Sequence, residues 1–341
     1  MNWRALRVLG QAPSPLTLGE AVLHGLARRP RCIEPKFFYD EHGSRLFDAI
    51  CDLPEYYLTR TEMDILESCA AEIAQLTGPD CTLIELGSGA SRKIRLLLDA
   101  LRPRHYVGVD ISHEFLLKSL QQLARDYPWL EMKALCADFA QEISLPDDLG
   151  TANRLVFFPG STIGNFEPHE ALAFLQRVRR LLQQGGALVI GVDLKKEIQL
   201  LQAAYNDEQG ITARFNLNLL ARLRTELAAD VDLDGFRHWA FYNPEPGRIE
   251  MHLVSRRRQT LRVLDREFEF LPDETIHTEN SYKYSVEQFQ SLARRAGLRP
   301  VRAWLDRAKL FSVHYLRVAS AHPLDRTHRL ERSWLLNRRR A

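Results

Sequence analysis

The chain has little of what marks secreted, membrane or nucleic-acid-binding proteins. Its five cysteines, Cys32, Cys51, Cys69, Cys81 and Cys136, are scattered through 341 residues without a C-x-x-C pair. They fit small buried residues in a reducing compartment. No apolar run is long enough to span a bilayer, and the opening MNWRALRVLGQAPSP lacks the core and cleavage site of a signal peptide. A cytoplasmic protein without membrane contact is expected. Charge is also lacking: 46 Lys+Arg against 44 Asp+Glu give a formal net charge of +2, too small to gather nucleic acid. The basic runs Arg256-Arg257-Arg258 and Arg338-Arg339-Arg340 read as a solvated hairpin and a frayed tail. There is no internal repeat and no low-complexity segment. His277-Thr278-Glu279 imitates the H-x-E of zinc deaminases, but no P-C-x-x-C follows it, and no metal site is expected.

What is present is an ordinary globular composition, 45% hydrophobic and 26% charged, in a chain long enough for one large domain or two of common size. Strand and helix patterns alternate. CTLIEL (81–86), YVGVD (106–110), EMKALCAD (131–138), RLVFFP (154–159) and ALVIGVD (187–193) read as apolar strands. Helical patterns separate them: KIRLLLDAL, then SHEFLLKSLQQLARDY opened by the N-cap Ser112, and later HEALAFLQRVRRLLQQGG ended by Gly185. This succession predicts a parallel, doubly wound sheet. After about residue 196 the rhythm breaks. A helix in NLNLLARLRTELAADV precedes the strand-like pieces FRHWAFYN, RIEMHLVSRR and QTLRVLDREFEF, with a hairpin turn at NPEPGR. A last helix, SVEQFQSLARRAG, leads to two closing strands, VRAWLD and LFSVHYLRVAS. The expected organisation is a Rossmann-like α/β domain over 15–195 and 286–320, an inserted α+β substrate-binding domain over 196–285, and a basic tail over 321–341.

The strand ends carry the chemistry. ELGSGAS (85–91) joins the first of these strands to a helix, and its glycines let backbone approach a ligand near a helix N-terminus. A dinucleotide fingerprint wants a third glycine where Arg92 stands, which disfavours NAD. Asp110 ends the second strand where a carboxylate can accept from both ribose hydroxyls. Asp138-Phe139 ends the third, placed to bond an adenine amino group and pack on its ring. Three such pieces at consecutive strand ends favour S-adenosylmethionine. The fourth strand ends in FFPGSTIGNF (157–166), which contains neither the Asn/Asp-Pro-Pro-Tyr/Phe of amino-methylating DNA enzymes nor the paired acids of protein arginine methyltransferases. A small polar substrate gains ground.

At this point a resemblance becomes specific. FFYDEHGSRLFDAICDLPEYYLTRTE (37–62), ELGSGASRK (85–93), FFPGSTIGNF (157–166), AAYNDEQGITARFNLNLL (203–220), IEMHLVSRR (249–257) and TIHTENSYKY (275–284) resemble the L-histidine Nα-methyltransferase family of ergothioneine biosynthesis, over most of the chain. The resemblance implies three successive methyl transfers from S-adenosylmethionine to the α-amino group of histidine, giving hercynine. It implies cofactor contacts from Gly87, Lys93, Asp110, Asp138 and Phe139, and amino-acid contacts from Tyr56, Asn165, Tyr205, Met251, Glu279 and Ser281. The chemistry of these side chains agrees. The Asn165 amide and the Tyr205 hydroxyl can donate to a buried carboxylate. Glu279 and Ser281 can partner imidazole nitrogens, and Met251 can wall the ring. Tyr39 and Tyr56 stand as proton-path residues, Tyr39 and Phe47 as aromatic faces for a growing positive charge, and Asn165 with the Gly160 carbonyl as groups that orient the amine. A monomer acting on free L-histidine is expected. The same scaffold acting on another amino acid or small amine, such as tryptophan or a histidine derivative, and a catalytically silent module binding S-adenosylmethionine or histidine, remain alternatives.

Overall fold

Strands that are apolar on both faces need helices on both sides, and this requirement organises the molecule. The computed structural model describes residues 6–9, 17–89 and 92–319. β1 (Leu6–Leu9), β3 (Thr82–Leu86), β4 (His105–Asp110), β5 (Glu131–Cys136), β6 (Arg154–Phe158), β7 (Ala187–Asp193), β13 (Leu298–Leu305) and β14 (Phe311–Val318) form one eight-stranded sheet in the order β1-β5-β4-β3-β6-β7-β14-β13. All pairings from β1 to β7 are parallel, whereas β14 runs antiparallel to both β7 and β13. The doubly wound sheet with a closing hairpin is therefore as expected.

Alternation along β6 shows how the sheet is sandwiched. Leu155 and Phe157 belong to one core with Ile65 and Leu66 of α3 (Tyr57–Thr77) and Leu97 of α4 (Ile94–Leu101). Val156 and Phe158 belong to the other, with Phe174 of α6 (Pro168–Leu182) and Phe289 of α9 (Val286–Arg295). Each side chain so buried contributes about 1.5–3 kcal/mol. Chain order reverses at β3, whose neighbours are β4 on one side and β6 on the other. The carboxyl ends beside such a reversal are where open α/β sheets bind ligands.

A second sheet stands over that end. It has the order β2 (Arg31–Cys32), β12 (Thr275–Tyr282), β9 (Arg248–Ser255), β8 (Phe236–Asn243). β12 and β9 are antiparallel with a bulge between His277 and Glu279. Below the sheet lie α7 (Ile198–Ala203) and α8 (Ile211–Leu227); α1 (Leu18–Ala27) and α2 (Glu41–Cys51) come from the N-terminal part. The sheet thus recruits Arg31–Cys32 from outside residues 196–285.

Several local expectations are corrected. QTLRVLDREFEF is a hairpin, β10 (Gln259–Val263) and β11 (Arg266–Phe270), turning at Leu264 with φ +55°. Helix α8 begins upstream of NLNLL because the Asp207 carboxylate accepts from Ile211 N and Thr212 N, at 2.8 Å each, which caps the helix there. Ser112 precedes α5 (His113–Asp126) but makes no side-chain cap bond; its own N–H goes to Asp110 at 2.9 Å. α6 ends at Leu182, before Gly185. Arg338-Arg339-Arg340 and the tail lie outside the described residues.

Candidate active site

The carboxyl ends of β3, β4, β5 and β6 open onto a cavity of about 570 Å³. It brings together Gly87, Lys93, Asp110, Asp138, Phe139, Gly160 and Asn165 from the strand ends with Tyr39, Phe47 and Tyr56 from the N-terminal helices. Tyr205, Met251, Glu279 and Ser281 do not line it.

At the β3 and β4 ends the backbone is shaped for close approach. Gly87 has φ +74°, a conformation that side chains rarely adopt, and lies beside the Phe139 ring. The Asp110 carboxylate accepts from Gly89 N at 3.0 Å and Ser112 N at 2.9 Å. Burial still raises its pKa, against the pull of these amides. Asp138 Oδ1 accepts from Ala140 N at 2.8 Å. Its Oδ2 is buried without a hydrogen-bond partner, with the Lys36 ammonium 3.6 Å away. Phe139 packs edge-on to Phe158, centroids 5.4 Å apart.

The end of β6 is held from several directions. Gly160 N donates to the Glu62 carboxylate at 2.8 and 3.1 Å, and Lys93 Nζ pairs with Glu62 Oε2 at 2.5 Å. Ser161 sits in the left-handed region at φ +57°, costly for a residue with a side chain. Its Oγ accepts from Asp193 N at 2.9 Å, which holds it there. The turn Thr162–Asn165 then lies against β12: a Cβ on Gly164 would meet Tyr282 O at 2.8 Å and Tyr282 N at 3.1 Å, both backbone. Gly164→Ala should therefore lower stability by about 1–3 kcal/mol and reduce turnover through displacement of Asn165. Thermal unfolding beside a methyl-transfer assay checks this; an unchanged midpoint and rate would contradict it.

Part of the cavity wall is an aromatic cluster. Tyr39 meets Phe47 at 5.7 Å and Phe215 at 5.8 Å, and Phe47 meets Tyr56 at 6.4 Å. Tyr56 meets Tyr205 edge-on at 6.2 Å, linking the wall to the residues behind it. Burial pushes the Tyr39 and Tyr56 phenols well above their ordinary range, so both stay protonated. Glu279 and Met251 are direct cross-strand partners. The Glu279 carboxylate keeps some accessible surface, yet burial pushes it up to about 7 and only Lys283 pulls it down. Its charge reaches both Tyr39 and Tyr56. Among the described residues its side chain has no hydrogen-bond or ion-pair partner. The Tyr205 hydroxyl donates to Ser281 Oγ at 2.8 Å.

The comparisons with known proteins meet this geometry. A family described as histidine-specific methyltransferase, SAM-dependent, matches residues 18–318. The chain belongs to that family. The histidine N-alpha-methyltransferase of Mycolicibacterium smegmatis is 43% identical over 295 residues, covering 85% of this chain and 91% of that protein. The protein of the same name from Mycobacterium tuberculosis is 40% identical over 311 residues, covering 89% and 96%. Ergothioneine biosynthesis protein 1 of Schizosaccharomyces pombe is 31% identical over 285 residues, 80% of this chain but 37% of that larger protein.

As a member of this methyltransferase family the protein uses S-adenosylmethionine, and the residues present fit it. The orphaned Asp138 Oδ2 offers an acceptor to an adenine amino group, Phe139 an apolar face, and Asp110 a carboxylate for ribose hydroxyls. Lys93 lines the cavity and also pairs with Glu62, which bonds the Gly160 amide at the β6 end. Two residues of the site escaped sequence reasoning. Lys36 sits beside Asp138 from a short turn with no motif of its own. Glu62 has a signal: it interrupts the buried stripe Leu58, Ile65, Leu66, Cys69 of α3, where an unpaired charge would be costly.

One cluster has metal-like composition: ligand atoms of Glu250, His252 and His277 lie within 4.8 Å of one another. The two rings stack at 4.8 Å and 17°, so their in-plane lone pairs run side by side rather than converging at the ~2.1 Å of a metal–nitrogen bond. Arg248 and Asn243 already occupy Glu250, at 2.8 and 3.0 Å. Among the described residues no helix is long and apolar enough to cross a membrane.

Proposed function

We propose that the protein methylates the α-amino group of L-histidine three times, giving hercynine, with the amino acid lying between the β6 end and β12. The observation that supports this most is Glu279, an interior carboxylate without a partner beside an apolar Met251 wall. A buried charge is stable only when a ligand or neighbour bonds it, and an imidazole N–H is a matching donor. The relatives named as histidine N-alpha-methyltransferases point to the same substrate.

In this reading S-adenosylmethionine, when bound, supplies an activated methyl group. The chain's own residues place the amine lone pair in line with it and exclude water. Asn165 at the cavity wall orients the amino acid's head group, with the Gly160 carbonyl beside it. Tyr39 and Phe47, perpendicular to each other, face the nitrogen as its fixed charge grows. Tyr39 and Tyr56, protonated at working pH, act as relays on the path the amine proton takes to solvent, each phenol oxygen accepting from the ammonium side while its own O–H donates onward. Residues 196–285, with β2, form the half that holds the substrate.

Glu279→Ala should weaken L-histidine binding about tenfold or more, a lost hydrogen bond to a charged group, and leave S-adenosylmethionine binding unchanged. Calorimetric titration of both ligands tests this, and equal losses would contradict the role. Mass measurement of products from a panel including L-histidine and L-tryptophan tests the substrate, and tryptophan methylated in preference to histidine would overturn it.

A further inference from the structure

Lys283 is fully buried and lies outside every contact proposed so far. It follows β12, two residues beyond Ser281 and four beyond Glu279. An ammonium has three donors and no acceptor, and here all three are used. Nζ reaches Asp193 Oδ2 at 2.8 Å, Ser281 Oγ at 2.7 Å and Tyr205 Oη at 3.2 Å. Tyr205 in turn gives its proton to Ser281 Oγ at 2.8 Å. A serine hydroxyl has two acceptor sites and one proton. Both acceptor sites of Ser281 are taken, by Lys283 and by Tyr205, and its own proton is the only hydrogen-bonding capacity left.

From this arrangement, and resting on the placement of histidine proposed above, we propose that Lys283 selects the protonation state of the substrate ring. By filling one acceptor site of Ser281 while Tyr205 fills the other, it makes that hydroxyl an obligate donor. Glu279, when ionised, is an obligate acceptor. The pair matches a ring with one N–H and one bare nitrogen, which is neutral imidazole. An imidazolium would face Ser281 with a second N–H and find no acceptor. An indole carries a single N–H and leaves the Ser281 donor without a partner, so the same pair discriminates against tryptophan. Lys283 acts through Ser281 and touches no reacting atom; it is a positioning residue.

Asp193 anchors the device. It is fully buried, and besides Lys283 its carboxylate takes the Tyr57 hydroxyl, 2.9 Å from each oxygen, and the Lys196 ammonium. Removing the Lys283 charge therefore leaves Asp193 partnered, and Lys283→Met is compatible with the fold. The groups acting on Glu279 are Lys283, which lowers its pKa, and the neutral phenols of Tyr39, Tyr56 and Tyr205, whose own pKa values it raises.

The test compares wild type, Lys283→Met, Ser281→Ala, the double variant and Glu279→Gln in steady-state kinetics across pH, with S-adenosylmethionine titration of each preparation. Lys283→Met is expected to raise KM for L-histidine about tenfold with cofactor affinity unchanged. It should also move the acid limb of kcat/KM to higher pH, because Glu279 loses the cation that favours its ionised form. The substrate ring titrates identically with every variant, so that displacement belongs to the protein. Ser281→Ala should raise KM similarly because it deletes the donor outright, and at a pH where Glu279 is ionised the double variant should add little to it, since Lys283 then acts on the ring only through Ser281. If Glu279→Gln leaves histidine KM unchanged, the placement of the substrate is wrong. If Glu279→Gln raises KM while Lys283→Met moves neither KM nor the acid limb, the placement stands and the role of Lys283 falls. Should Lys283→Met fail to bind cofactor, Ser281→Ala decides: an unchanged histidine KM there overturns the proposal.

Discussion

Glu62→Ala is expected to destabilise the protein by about 3–5 kcal/mol, the cost of stranding one partner of a buried ion pair, and to abolish measurable S-adenosylmethionine binding. Glu62 is fully buried in the second turn of α3. One carboxylate there joins three pieces of chain: its own helix, Lys93 ahead of α4 at 2.5 Å, and the Gly160 amide after β6 at 2.8 Å. Alanine leaves a largely buried ammonium and a buried amide without partners, and frees the β6 end from the β3 end, both of which border the cavity proposed to hold the cofactor. Glu62→Gln keeps the shape and an acceptor for Gly160 but not the charge, and should fall between the two. Denaturant unfolding with calorimetric cofactor titration measures both effects. Full cofactor affinity with stability within about 1 kcal/mol of wild type, the range of an ordinary surface change, would show that the network is ornamental.

Glu62 also shows what a single sequence can and cannot convey. The sheet was legible because strands buried on both faces read as unbroken apolar runs, and each of the five central runs became a strand. That Asp110 and Asp138 meet at one cavity was legible because both stand at strand ends, where topology alone brings them to one edge. Glu62 lay on a helix stripe and was visible as an anomaly, but its partners, 31 and 98 residues away, were not. The Leu264-Asp265 turn escaped for a different reason. A two-residue hairpin usually advertises itself with Asn-Gly or Asp-Gly, and here Leu264 takes the positive φ instead, so the two strands read as one. The sequence also could not say where a hydroxyl proton goes. Tyr205 reads from the sequence only as a possible donor to a carboxylate, and the fold adds Ser281 at 2.8 Å and Lys283 at 3.2 Å from its hydroxyl.

Asn165→Ala is expected to lower kcat about 100-fold, the effect of misplacing a reacting group by around 1 Å, while stability changes by less than about 0.5 kcal/mol. The asymmetry follows from its surroundings. The backbone of Asn165 is fixed three times over: by Ser161 held in its left-handed conformation through Asp193, by Thr162 Oγ donating to Pro159 O at 2.9 Å, and by Gly164 seated against the Tyr282 backbone. Its side chain, by contrast, faces the cavity and bonds to no other described residue. A rigid support under an uncommitted amide is what positioning a ligand requires, and what stability does not. Truncation therefore removes no internal bond, and cofactor affinity should persist. Asn165→Asp sharpens the test, because it keeps the size and replaces the amide donor by a second acceptor. Against a substrate carboxylate it should be worse than alanine, through like-charge repulsion. Stopped-assay rates with unfolding curves for the two variants decide the matter. An aspartate variant more active than the alanine one would place the amine, not the carboxylate, beside residue 165.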